Sequence, residues 1–291
     1  MNKAKLTALC HKISKEKGLS FNSVMTYYFL EALLKRLAES SYHDHFVFKG
    51  GFLLSNVLGI EKRSTVDIDV LLHHMELSQT QLEEIFTEIL AGEQDGIRYE
   101  MTGMSPIRED DAYGGFRVQI LCHLENIRQT VPLDIATGDV ITPGIIDYSF
   151  ESLFNEEVIL LKAYPIETVL AEKLETIYKR GFLNSRSKDY FDLHLLYRLK
   201  KDQIDFGVLH EACKRTFAYR GTEFDVAKIR ALLSDLRQEE VFIGRFKAYV
   251  RRNAFVRATF EETLDSALEL LNGMERKCTS PKNNMIYGTD N

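Results

Sequence analysis

Cysteine is scarce and scattered: four in 291 residues, Cys10, Cys122, Cys213 and Cys278, with no Cys-x-x-Cys spacing. That excludes a disulfide framework and a zinc knuckle, and leaves buried or idle thiols. The histidines, among them His43, His45, His73 and His74, form no metal-ligand framework either and read as surface or core residues. No run of eighteen apolar residues exists, which excludes a membrane-spanning helix. The first residues, MNKAKLTALCHKISKEKG, lack the apolar run and small-residue cleavage site of a secretory signal, so a cytoplasmic protein is expected. No internal repeat is evident.

An excess of positive charge is also missing. The formal net charge of −6 argues against nucleic acid wrapped over the whole surface, although charge acts locally, over a face. The richest basic region is C-terminal: Lys214, Arg215, Arg220, Arg245, Lys247, Arg251, Arg252 and Arg257. It reads either as the solvated face of amphipathic helices or as a groove for a polynucleotide acceptor.

What is present is an ordinary globular composition, 45% hydrophobic and 27% charged, enough for one large domain or two smaller ones. Within it, Asp67 and Asp69 stand one residue apart, sixteen residues after Gly50-Gly51. On a strand both carboxylates point the same way, while Val66, Ile68 and Val70 point into the fold. Such crowding of like charge is costly unless a cation sits between, and Mg²⁺ takes one or two carboxylates completed by water and substrate phosphates. A metal site is therefore expected at Asp67 and Asp69.

Phe46–Lys49 reads as a short strand and Phe52–Leu58 as one or two helical turns ending at Gly59. Strand, Gly-Gly, helix is an anion-binding geometry, because glycine lets the backbone approach a phosphate and the unpaired N–H groups of the helix start face it. Asp-x-Asp or Gly-Gly alone is common. Their ordered combination is far more specific.

Residues 21–40 carry apolar side chains at helical spacing, as do Leu77 to Leu90. Phe116–Leu124 and Thr130–Ala136, separated by a five-residue polar stretch, read as successive strands. Helices dominate from Pro165 to about Asn272. The organisation is a mixed α/β part, residues 1–160, and a helical part, 161–273, with a soft boundary around Phe154 to Pro165. Residues 274–291 read as a polar, disordered tail.

A third carboxylate would serve a phosphoryl-transfer site as a further metal ligand or as the proton acceptor. Asp134, on an apolar strand, is the favoured candidate; its rival Asp139 reads more simply as part of a turn with Gly138. Residues 165–181 form a helix with proline at its start and glycine past its end. Lys173 abuts the apolar stripe of that helix, where it either reaches inward toward phosphates or snorkels outward. Asp189 and Asp192 share a face of the following helix, whose first turns also carry Arg186.

These blocks together resemble the AbiEii-type nucleotidyltransferase toxins, a branch of the polymerase-β-like nucleotidyltransferase superfamily found in bacterial abortive-infection and toxin–antitoxin systems. The likeness rests on FVFKGGFLLSNVLGIEKRSTVDIDV (46–70), VPLDIATGD (131–139), ETVLAEKLETIYKRG (167–181) and SRSKDYFDLHLL (185–196). It implies an α+β fold, a polymerase-β-like core with mixed sheet and flanking helices, followed by a helical C-terminal domain. It also implies NMP transfer from an NTP to an acceptor, tRNA for some relatives, with Mg²⁺ or Mn²⁺ as cofactor and a cognate antitoxin as partner. The family's phosphate and metal residues fall on Gly50, Gly51, Asp67 and Asp69, its lysine on Lys173 and its later aspartate on Asp189. Lys49, Arg63, Thr65 and Arg186 are further nucleotide-binding candidates. Phe52 stands where many relatives carry a small hydroxyl residue, which removes one side-chain phosphate contact. A non-catalytic nucleotide- or RNA-binding regulator, or an enzyme modifying protein or a small molecule, are the alternative readings.

Overall fold

The computed structural model describes residues 1–63, 65–107, 114–253 and 256–279. Two helices open the chain: α1 (Lys3–Lys17), capped by the Asn2 side chain and ended by Gly18 in the left-handed region, and α2 (Phe21–Ala38), capped by Ser20. In α2 the side chains of Val24, Phe29, Leu30, Leu33, Leu34 and Leu37 are fully buried, so tertiary packing stabilises it more than intrinsic propensity does. The strand β1 (Phe46–Lys49) leads directly into helix α3 (Gly50–Leu58), and β2 (Ile68–Leu72) follows. Then come α4 (Gln79–Ile89), a two-residue strand β3 (Glu93–Gln94) and three long antiparallel strands, β4 (Ile97–Ile107), β5 (Gly115–Leu124) and β6 (Ile127–Ala136). A hairpin of β7 (Ile146–Glu151) and β8 (Val158–Ala163) completes one eight-stranded mixed sheet in the order β3-β4-β5-β6-β2-β1-β8-β7.

The rest is helical: α5 (Ile166–Arg180), α6 (Ser187–Lys200), α7 (Phe206–Tyr219), α8 (Val226–Leu236), α9 (Glu240–Asn253) and α10 (Phe260–Thr279). No described helix is long and apolar enough to cross a membrane.

Four sequence expectations change. The boundary at 160 would cut β8, which pairs in parallel with β1 and antiparallel with β7, so the sheet part extends to Ala163, within the soft boundary of Phe154 to Pro165. The expected tail begins too early, because α10 runs to Thr279 and buries Met274; residues 280–291 lie outside the described residues. The polar stretch between β5 and β6 is a two-residue turn, Leu124 pairing with Ile127, with Glu125 at φ 52°. Val66 does not point inward: it is 65% exposed and precedes β2, since pairing begins only at Ile68. Cys10, Cys122 and Cys213 are buried free thiols, as expected.

Candidate active site

Strand register assembles a row of four charged side chains. Lys49 on β1 pairs with Asp69 on β2, Asp69 lies beside Asp134 on β6, and Asp134 pairs with Arg117 on β5. Cross-strand partners project from the same face, so the row runs plus, minus, minus, plus across the central strands. Asp67 lies just before β2, its Oδ1 accepting from Thr65 Oγ1 at 2.6 Å.

Gly50 and Gly51 close over this row. Gly50 adopts φ +69°, and a Cβ there would lie 2.0 Å from Asp69 Oδ2. A Cβ on Gly51 would meet Thr65 Oγ1 at 2.8 Å. The Gly51 amide donates to Asp69 Oδ2 at 3.3 Å. An amide of the first turn of α3 thus already faces an anion, as the open N-terminus of a helix favours. Burial, and then the neighbouring Asp67 charge, raise the Asp69 carboxyl above its ordinary range; Lys49 opposes them. Lys49 and the Gly51 amide thus offset the crowding at Asp69 only in part.

Asp134 differs. Arg117 donates to both its oxygens, Nε to Oδ1 at 2.6 Å and Nη2 to Oδ2 at 2.7 Å. Among the described residues no three His, Cys, Asp or Glu side chains form a ready set of metal ligands. Asp67 and Asp69 alone fit the two-carboxylate mode of Mg²⁺, which draws its other ligands from water and phosphate. Arg117 was not singled out from the sequence, because its role depends on the β5–β6 register and not on any local motif.

Lys49 and Asp69 of this row line a cavity of about 730 Å³ between the sheet and helices α5 to α7, together with Gly50, Gly51 and Asp139 on the sheet side. Asp139 is more than a turn residue. Its side chain is 10% exposed, pairs with Lys49 and accepts from Tyr164 Oη at 2.9 Å. Burial would raise its carboxyl, but Lys49 and Arg220 outweigh that and hold it low.

On the helical side Lys173 turns inward, only 13% of its side chain exposed, so it does not snorkel. It donates to Asp192 Oδ2 at 2.8 Å and Asp189 Oδ1 at 3.3 Å. Arg63 Nε donates to the other oxygen of Asp192 at 2.6 Å. Burial disfavours ionised Asp192, yet the two cations hold its carboxyl below the ordinary range. Asp192 is therefore the hub of this network; the sequence placed the two on one face, and the resemblance gave a role to Asp189 alone. Arg186 Nε lies 2.9 Å from Asp189 Oδ2, yet that buried oxygen accepts no well-aligned hydrogen bond. Of the eight C-terminal cations, Arg220 lines the cavity, bound to Glu172 at 2.9 Å and Glu175 at 3.0 Å; Arg251 and Arg252 do not.

A mixed sheet with carboxylates facing a Gly-Gly helix start, roofed by helices, is a nucleotidyltransferase architecture, and solved structures share it. A Helicobacter pylori structure described as a candidate nucleotidyltransferase superposes with TM-score 0.54 at 17% identity, covering 89% of this chain and 97% of that one. JHP933 from Helicobacter pylori does so with TM-score 0.53 at 16% identity, covering 89% and 96%. No curated protein sequence matches the chain significantly. The family model of the nucleotidyl transferase AbiEii toxin, type IV toxin–antitoxin system, matches residues 32–269, and the chain belongs to that family.

Proposed function

We propose that this toxin-family transferase uses Mg²⁺ or Mn²⁺ to move NMP from an NTP to a hydroxyl of an RNA acceptor, tRNA in particular, under the control of an antitoxin. The carrying observation is Asp69, which lines the cavity beneath Gly50 with the Asp67 charge acting on it from the same segment. A divalent ion held by those two carboxylates would neutralise charge on the phosphates. The acceptor oxygen forms a bond to the α-phosphorus, the bond to the bridging oxygen breaks, and pyrophosphate leaves. Lys49 and Lys173 place positive charge at the cavity, and catalysis is positioning plus electrostatics. Among the carboxylates that could take the acceptor's proton, Asp134 is engaged by Arg117 and Asp139 by Lys49. Asp189 is also paired, with Lys173 and Arg186, but its buried Oδ2 accepts no aligned hydrogen bond, and that difference supports assigning the task to Asp189.

Incubation with each labelled NTP, Mg²⁺ and total RNA or total protein tests the reading. Label should enter a small RNA fraction and fall by at least about a hundredfold in Asp67→Asn and Asp69→Asn, in line with lost transition-state charge stabilisation. Undiminished transfer in either variant overturns the metal assignment, and label in protein overturns the acceptor.

A further inference from the structure

The end of α5, the turn after it and the start of α6 carry Lys179, Arg180, Arg186 and Lys188, and no acidic residue between them, in a chain of net charge −6. All four line the candidate cavity. Among the described residues the side chains of Arg180 and Lys188 make no hydrogen bond or ion pair. In the turn between Arg180 and Arg186, beside the cavity lining, Phe182 is 52% and Leu183 88% exposed; no other described phenylalanine or tyrosine is exposed to this degree.

The loop is held in shape from within. Buried Asn184 donates its backbone N–H to the Gly181 carbonyl at 3.1 Å and accepts from the Arg186 amide at 2.9 Å. An ordered turn that presents an aromatic ring and a leucine to water, flanked in sequence by cations, forgoes their burial. Cations interleaved with an aromatic face match one class of ligand, a single-stranded polynucleotide, whose phosphates need positive charge and whose unstacked bases need a flat apolar partner.

We propose that the Phe182–Leu183 turn is a stacking platform that receives the single-stranded end of the RNA acceptor and feeds its terminal hydroxyl into the cavity. This rests on the transferase reading for its purpose, though binding can be measured without turnover. It also moves the acceptor surface from the C-terminal helices around Arg251 to the α5–α6 turn.

The chain has no tryptophan, so Phe182→Trp installs a unique fluorophore. Without NTP, a mixed-sequence single-stranded RNA of about ten nucleotides should quench that emission, whereas a blunt duplex should not. Phe182→Ala should weaken binding of the same RNA by about tenfold, with unchanged thermal stability and NTP binding. Arg180→Glu with Lys188→Glu should flatten its salt dependence. Equal response of Phe182→Trp to poly-glutamate would mean a docking site for acidic protein and overturn the proposal, as would unchanged RNA binding in Phe182→Ala. Phe182-dependent RNA binding in a wild-type chain that transfers no label would instead sink the transferase reading and leave the platform standing.

Discussion

At position 50 two constraints coincide: a positive φ, and an Asp69 carboxylate within 2.0 Å of where a Cβ would sit. Gly50→Ala cannot relieve both by rotating a side chain, so Asp69 or the start of α3 must move. The expected cost is about 1–3 kcal/mol, read from urea unfolding, with transfer lost because the carboxylate is displaced. Wild-type activity in Gly50→Ala would show that Asp69 need not stay beneath the helix start. Asp69 gives a second test, with a definite sign. Its folded carboxyl titrates above the ordinary value, so the folded state binds the proton more tightly than the unfolded chain, and metal-free stability falls as pH rises through the window between the two values. Asp69→Asn should therefore melt higher than wild type in EDTA at neutral pH, with the gap narrowing below the ordinary aspartate range. Mg²⁺ should stabilise the wild type and not the variant.

Among the elements, those with strong local signals were legible: the Ser20-capped α2, the β1–α3 unit and α5 between Pro165 and Gly181. The Asp-x-Asp pair itself needed no structure to be noticed. Legibility failed where tertiary pairing decides. The strand β4 carries Gly103 and Pro106 among few apolar residues, with Tyr99 and Ile97 its buried members, so alternation is weak and neighbouring strands define it. The β7–β8 hairpin was passed over as a boundary because its strands are short and Val158 and Leu160 face water. What ties that hairpin down is Glu31, a charged residue in an otherwise apolar stretch of α2. It accepts from the Leu153 amide at 3.0 Å and from the Ser152 hydroxyl. Burial pushes its carboxyl up to about 7 despite those donors. Ionised Glu31 thus costs stability, and wild-type stability should fall as pH rises from the ordinary glutamate range through about 7. Glu31→Gln should be more stable than wild type by about 3 kcal/mol at pH ~8 and nearly equal at pH ~4. Denaturant midpoints at the two values settle it; a variant less stable at both would show that the charged hydrogen bonds outweigh desolvation.

For the whole molecule, the sheet and the helices meet around one cavity whose walls are joined by buried charge. Arg63, from the segment between α3 and β2, reaches Asp192 on α6, and Asp192 also takes Lys173 from α5. A buried ion pair contributes little net stability over an apolar replacement, but removing one partner alone leaves a stranded charge and costs about 3–5 kcal/mol. The network is asymmetric, which allows its structural and functional parts to be separated. Asp192→Ala leaves two cations facing each other and should fall at the upper end of that range. Lys173→Ala leaves Asp192 paired with Arg63 and Asp189 near Arg186, so it should cost clearly less. Because the Asp192 carboxyl is held below its ordinary range, the wild-type advantage over Asp192→Asn should be complete above that range and vanish as pH falls through the depressed value. If Lys173 also serves bound phosphates, Lys173→Ala should lose NTP binding well beyond what its modest destabilisation explains, measured at a temperature where both variants are fully folded. Equal losses of stability in Lys173→Ala and Asp192→Ala, with NTP binding intact in the former, would confine the lysine to holding the two halves together.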